Sequence, residues 1–165
     1  MMENWQEEYD PQQRVDEALK LEKEFWKHKK LEDFSKVEWE ALCDGCGKCC
    51  LNKIEIKNKI CFTNVRCRFL DHKSCLCKVY ENRFQAMHDC RDIDLNAVRE
   101  KPRWLPKTCA YWLVDNGCDL PNWHPLITGK AVSVVEAGMS LKNRELISES
   151  EVKTYEDHIV DWQDL

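Results

Sequence analysis

Residues 43–50 read Cys43-Asp44-Gly45-Cys46-Gly47-Lys48-Cys49-Cys50, four thiols in eight residues. Two-residue spacers let successive thiolates curl onto one metal centre. Gly45 and Gly47 supply permissive backbone for that curl and leave peptide N–H groups free to point at sulfur. A metal ligand must be a thiolate, and Lys48 is expected to favour that form electrostatically. The pattern therefore predicts a fold organised around cysteine-bound metal rather than a core that happens to contain cysteine. The adjacent pair Cys49-Cys50 has two readings. In extended backbone the two side chains point apart and serve different centres; in a turn they converge.

Composition agrees with a metal-stapled domain. Leu, Ile, Val and Phe supply only 38 of 165 residues, so the aliphatic core is thin. Seven tryptophans add buried area, and the eleven cysteines can add staples. The opening stretch MMENWQEEYDPQQ has neither the basic nor the apolar segment of a secretory signal. No stretch reaches the roughly 18 apolar residues of a membrane span. The expected compartment is the reducing cytoplasm, where cysteine clusters bind metal or catalyse rather than pair as disulfides. A secreted fragment already stripped of its signal is the alternative, although an odd cysteine count fits a disulfide framework badly.

Outward from the cluster, Ser35-x-x-Glu38 is a capping-box signature that starts a short helix running into Cys43. Residues 12–33 read as a helix, with Val15, Leu19 and Phe25 or Trp26 as a loose apolar stripe. Two units are expected: an N-terminal helical appendage over 1–34 and a cysteine-rich metal-binding domain over 35–165. The appendage lies on the domain or, alternatively, binds a protein partner. After Cys50, Ile54 and Ile56 alternate with polar residues, Asn58-Lys59 turns, and Ile60–Phe62 returns as a small hairpin. Residues 63–78 are loop-like, with a polar turn at Asp71–Ser74, and Glu81–Met87 forms a helical turn or two. A helix through Tyr111–Val114 ends near Asn116-Gly117, with Gly as the C′ residue. Val132–Val135 reads as a short strand, and Ser148-x-x-Glu151 caps a last helix. The fold class is α+β: a mainly helical, loop-rich single domain with one small hairpin.

Downstream thiols complete the ligand set. Cys67, Cys75, Cys77, Cys90 and Cys109 join Cys43, Cys46, Cys49 and Cys50, leaving Cys61 and Cys118 as outliers. Nine ligands fill two four-ligand centres with one thiol to spare; one centre with reduced, buried spares is the equal alternative. Zinc needs four nitrogen or sulfur donors in a tetrahedron. The Cys-x-x-Cys-x-x-Cys run equally suits an iron–sulfur cluster whose fourth cysteine lies elsewhere. His72 and His88 fall within the cysteine region as candidate nitrogen ligands, whereas His124, between Trp123 and Pro125, reads as structural. Asp89 and Asp92 can orient a ligand from the outer shell or solvate a helix end.

The same residues resemble a known family. Cys43-x-x-Cys46-x-x-Cys49-Cys50, Cys67, Cys77-x-x-Tyr80-x-x-Arg83 and Cys90 are similar to the CxxCxxCC family of zinc- or iron-chelating domains. FTNVRC at 62–67, WLPKTCAYWL at 104–113 and LPNWHPL at 120–126 resemble its subgroup of small uncharacterised bacterial cytosolic proteins. The resemblance spans most of residues 35–165 and implies metal chelation without assigning a reaction. It marks Tyr80 and Arg83 as a polar pair near the centre. One departure is local: Arg83 precedes Phe84 where the family has proline, and Cys90 lies further along the chain.

Net charge is −5, yet residues 51–110 carry 13 Lys and Arg against 7 Asp and Glu. A nucleic-acid surface is one reading. The basic residues are dispersed without a recognition motif, so charge balance beside thiolates is the better one. No nucleophile elbow, phosphate loop, HExxH zinc motif or dinucleotide fingerprint occurs. Two function classes remain: a zinc- or iron-chelating protein with metal as its ligand, or an iron–sulfur protein in electron transfer or redox catalysis.

Overall fold

The hairpin that follows the cysteine loop is the central element. In the computed structural model, which describes residues 10–165, strands β1 (Leu51–Ile56) and β2 (Lys59–Arg66) pair antiparallel, with Ile54 opposite Cys61. Lys57 and Asn58 both take positive φ, 50° and 62°, the tight turn that matches strand twist. The register shifts between Leu51 and Lys53, a bulge at Asn52. A two-residue strand, β3 (Ile147–Ser148), joins β2 in parallel and completes a three-stranded sheet of order β1-β2-β3.

Among the described residues, eight short α-helices accompany the sheet. They are α1 (Pro11–Ala18), α2 (Phe25–His28), α3 (Lys36–Leu42), α4 (Arg83–Ala86), α5 (Leu95–Arg99), α6 (Ala110–Asp115), α7 (Pro125–Thr128) and α8 (Ser133–Glu136). The expected α+β, loop-rich class is the one observed. The Ser35/Glu38 capping box forms: the Glu38 N–H donates to Ser35 Oγ at 3.2 Å, and the Ser35 N–H to Glu38 Oε2 at 2.8 Å. Helix α6 ends as its sequence predicts, with the Cys118 N–H donating to the Leu113 carbonyl at 2.9 Å around Gly117.

Several expectations fail. The hairpin turn sits at Lys57-Asn58 rather than Asn58-Lys59, and residues 63–66, expected in a loop, continue β2. The single helix over 12–33 is two helices separated by a turn in which Glu24 adopts φ 55°. The break lets Phe25 and Trp26 turn inward, both buried, whereas Leu19 is left exposed. Residues 1–9 of the expected appendage lie outside the described residues. Val132–Val135 is not a strand but the start of α8, with N–H groups satisfied locally; the Val135 N–H donates to the Val132 carbonyl at 2.9 Å. A strand there would need a partner edge, and the sheet's third place is taken by Ile147–Ser148. The Ser148/Glu151 box forms but caps only a 3-10 turn, Glu149–Glu151.

Two apolar clusters hold these elements. The larger gathers Phe25, Trp26, Leu31, Leu42 and Tyr111 from helical segments and Trp104 and Leu105 from the loop before α6. The smaller gathers Leu51, Phe62, Leu70, Cys75 and Leu141, with Trp162 and Leu165 against it. The cysteine loop lies between them: Cys43 and Cys49 pack on the first cluster and Cys50 on the second. No helix among the described residues is long and apolar enough to cross a membrane.

Candidate metal centre

Nearly every turn of the 43–50 loop is pinned from outside. Arg14 Nη2 donates to the Cys43 carbonyl at 2.8 Å, and His124 Nε2 bonds the Leu42 carbonyl at 3.0 Å. Because His124 Nδ1 accepts from the Leu126 N–H at 3.0 Å, Nε2 carries the proton. Burial holds this imidazole below its ordinary pKa and keeps it neutral, so the structural reading of His124 stands. Asp44 Oδ1 accepts from the Cys46 N–H at 2.9 Å, and the Cys46 carbonyl accepts from the Leu141 N–H at 2.9 Å. Gly45 and Gly47 take φ 75° and 79°, the left-handed region their place in the motif predicts. At Gly47 a Cβ would also sit 3.2 Å from Cys75 Cβ.

Lys48 is placed differently from the expectation. It lends Cys46 some electrostatic help, but its fully buried ammonium pairs with Asp164 and donates to Thr108 Oγ1 at 3.0 Å. The cation among the thiols is Lys53, which the sequence did not single out. Its Nζ donates to the Cys49 and Leu51 carbonyls at 2.9 and 2.7 Å, with the rings of Phe62 and Trp104 at 5.0 and 5.4 Å. Burial pulls its pKa down to about 8, while Cys49 and Cys50 act in the opposite sense.

Cys43 and Cys49 each disfavour ionisation of Cys46 and Cys109, and Cys49 that of Cys43. Burial is the largest influence on Cys43, Cys46 and Cys109, and the Asp44 carboxylate adds to it in each case. Cys49 is raised first by the neighbouring Cys50 and then by burial. Lys48–Cys50 is a 3-10 turn, and its vicinal thiols face different clusters, Cys49 the larger and Cys50 the smaller. Asp44, only 8% exposed, is the acid that sequence reasoning missed. Its position inside the motif was a signal that could have been read.

The remaining cysteines divide. Cys67 and Cys90 each feel the Cys77 thiol electrostatically, and Cys90 also feels Cys49. Cys67 Sγ lies 3.6 Å from Met87 Sδ, a residue that no motif highlighted. Cys75, at φ 57°, turns away from Cys77 into the smaller core, where Ser140 Oγ donates to its sulfur at 3.5 Å. Cys61 lies on β2, and Cys118 is exposed beyond α6. His72 Nε2 is bonded to the Arg144 carbonyl at 3.1 Å, and His88 is exposed. Arg83 stacks between Tyr80 and Phe84, 4.1 and 4.4 Å from their ring centroids, and pairs with Asp92 at 3.0 Å.

The donor chemistry of the loop fits a thiophilic metal: soft sulfur, a buried carboxylate, and thiols that burial raises despite Arg14 and Lys48. The side-chain geometry is not closed. Among the described residues, no three His, Cys, Asp or Glu side chains stand in an arrangement ready to hold a metal ion. Four of the basic residues of 51–110 are held in ion pairs, Arg68 on Glu149, Arg83 on Asp92, Arg91 on Glu100 and Arg99 between Glu32 and Asp115.

Comparison with known proteins places the chain. A UPF0260 protein of Sinorhizobium medicae is 47% identical over 141 residues, covering 84% of this chain and 90% of that protein. One from Vibrio vulnificus is 44% identical over 139 residues, covering 83% and 94%. Another, from Granulibacter bethesdensis, is 48% identical over 140 residues, covering 84% and 83%. No family model matches the chain. No solved structure matches it. With identity of this order across most of both partners, the chain belongs to the UPF0260 family.

Proposed function

We propose that the protein is a metal-chelating protein of a reducing compartment, holding zinc or iron through Cys43, Cys46 and Cys49 with Cys50 or Cys109 as the completing thiol. The observation that carries this reading is that Cys43, Cys46, Cys49 and Cys50 share with Asp44 a loop whose backbone is anchored by Arg14, His124 and Leu141, with Cys109 packed on the same cluster as Cys43 and Cys49. An anchored backbone leaves only side-chain rotation to be ordered when a metal arrives. The resemblance to CxxCxxCC chelating domains supports the same reading. Metal entry releases thiol protons, so uptake strengthens as pH rises. Metal and acid-labile sulfide analysis on protein purified without oxygen, with its visible spectrum, tests the proposal. Colourless protein with zinc and no sulfide makes the centre a binding or structural one. Brown protein with iron and sulfide makes it an iron–sulfur centre and brings electron transfer forward. Protein without metal, even after incubation with zinc or ferrous iron, refutes both.

A further inference from the structure

We propose a second metal site, distinct from the loop, at which Cys67 and Met87 bind a soft monovalent cation of the Cu(I) type, with Cys77 as the third sulfur. The inference goes beyond the loop-centred reading and does not rest on it. Its foundation is the 3.6 Å contact between Cys67 Sγ and Met87 Sδ. Two sulfurs on one metal with bonds near the thiolate value of about 2.3 Å stand at a comparable separation in a three- or four-coordinate site. A sulfur contact alone is packing; three further features set this one apart. The Phe69 N–H points at Cys67 Sγ from 3.5 Å, the kind of donor that stabilises a metal-bound thiolate. Cys77 faces Leu70 across an antiparallel bridge, and the Lys78 N–H donates to the Phe69 carbonyl at 2.8 Å, which ties Cys77 to the turn that holds Cys67. Neither Cys67 nor Met87 is sealed in the core, so an ion can reach both sulfurs.

Met87 sets the selectivity. A thioether carries no charge and needs no deprotonation, and it is a poor ligand for zinc, which draws on Cys, His, Asp and Glu. Thiolate and thioether together suit Cu(I). Met87 occupies this place because its N–H donates to the Arg83 carbonyl at 2.9 Å, closing α4, while its carbonyl accepts from the Cys90 N–H at 3.2 Å. The turn therefore presents Met87 and Cys90 together.

The test titrates the whole protein anaerobically with Cu(I) against a chromophoric Cu(I) chelator, beside a parallel zinc titration. Met87→Leu keeps the bulk and removes the sulfur. The expected result is Cu(I) affinity lowered by about tenfold or more, with zinc uptake unchanged. Unchanged Cu(I) stoichiometry and affinity in Met87→Leu would overturn the proposal. Cys46→Ser should retain the Met87-dependent Cu(I) step; losing it would merge the two sites and overturn their separation. One readout needs no variant. In protein grown with selenomethionine, one selenium of four should gain a copper neighbour at the selenium absorption edge on loading. An edge spectrum that does not change with Cu(I) would refute the Met87 ligand.

Discussion

The ammonium of Lys48, fully buried in the middle of the cysteine loop, pairs with the carboxylate of Asp164, which Arg144 also grips at 2.6 Å. The contact ties the C-terminal segment to the loop that holds the candidate ligands. It also makes the two partners unequal. Asp164 keeps Arg144 if Lys48 is lost, whereas Lys48 loses its ion-pair partner if Asp164 is lost. Asp164→Ala is therefore expected to cost about 3–5 kcal/mol, the penalty of a stranded buried charge, and Lys48→Met clearly less. Urea unfolding of both variants checks the order.

The same carboxylate has a pH signature. Burial opposes its ionisation, but hydrogen bonds from Arg144 and Lys48 outweigh this and hold its folded-state pKa below 3.8. A depressed acid contributes stability above its unfolded pKa, and that contribution is lost as pH falls through the folded value. The stability difference between wild type and Asp164→Asn should thus be full at pH 6 and shrink below about pH 4. Paired unfolding curves across that range measure it.

Gly47 and Gly45 share a left-handed backbone but not a neighbourhood. A Cβ at Gly47 meets Cys75 Cβ at 3.2 Å, whereas at Gly45 its nearest neighbour is the flexible tip of Arg14 at 3.5 Å. Alanine at either position carries the backbone penalty of about 1–2 kcal/mol. Gly47→Ala should exceed Gly45→Ala because a packed side chain must also shift. Thermal melts of the two variants give the ranking.

His124 braces the loop's entrance. Removing a fully buried ring that makes two backbone hydrogen bonds leaves both a cavity and an unpaired Leu42 carbonyl. His124→Ala is expected to lose about 2–4 kcal/mol. Its metal content, measured at a temperature where it stays folded, should fall less than in a ligand variant, since no donor is removed.

Local signals carried much of this fold. The Asn58 turn, the Ser35/Glu38 and Ser148/Glu151 boxes and the Gly117 cap depend on residues a few positions apart, and each was legible from the chain. The cysteine loop was legible for the same reason. What escaped depends on distant partners. Lys48 looked like a cation for its neighbouring thiols because nothing near it announced Asp164. Lys53 looked like an ordinary strand residue, although the bulge beside it turns its ammonium to the Cys49 carbonyl. The helix over 12–33 broke because Phe25 and Trp26 gain more by burial in the core of Leu42, Trp104 and Tyr111 than a continuous helix would return. Met87 carries no motif, so only its contact with Cys67 marks it.

The most direct measurement is the metal content of anaerobically purified wild type beside Cys46→Ser, Cys49→Ser and Cys118→Ser. Bound zinc or iron is expected in wild type and in Cys118→Ser, whose exposed thiol lies beyond α6, with loss of metal and a lower melting temperature in both loop variants. Equal metal content and equal melting behaviour in all four proteins would contradict it.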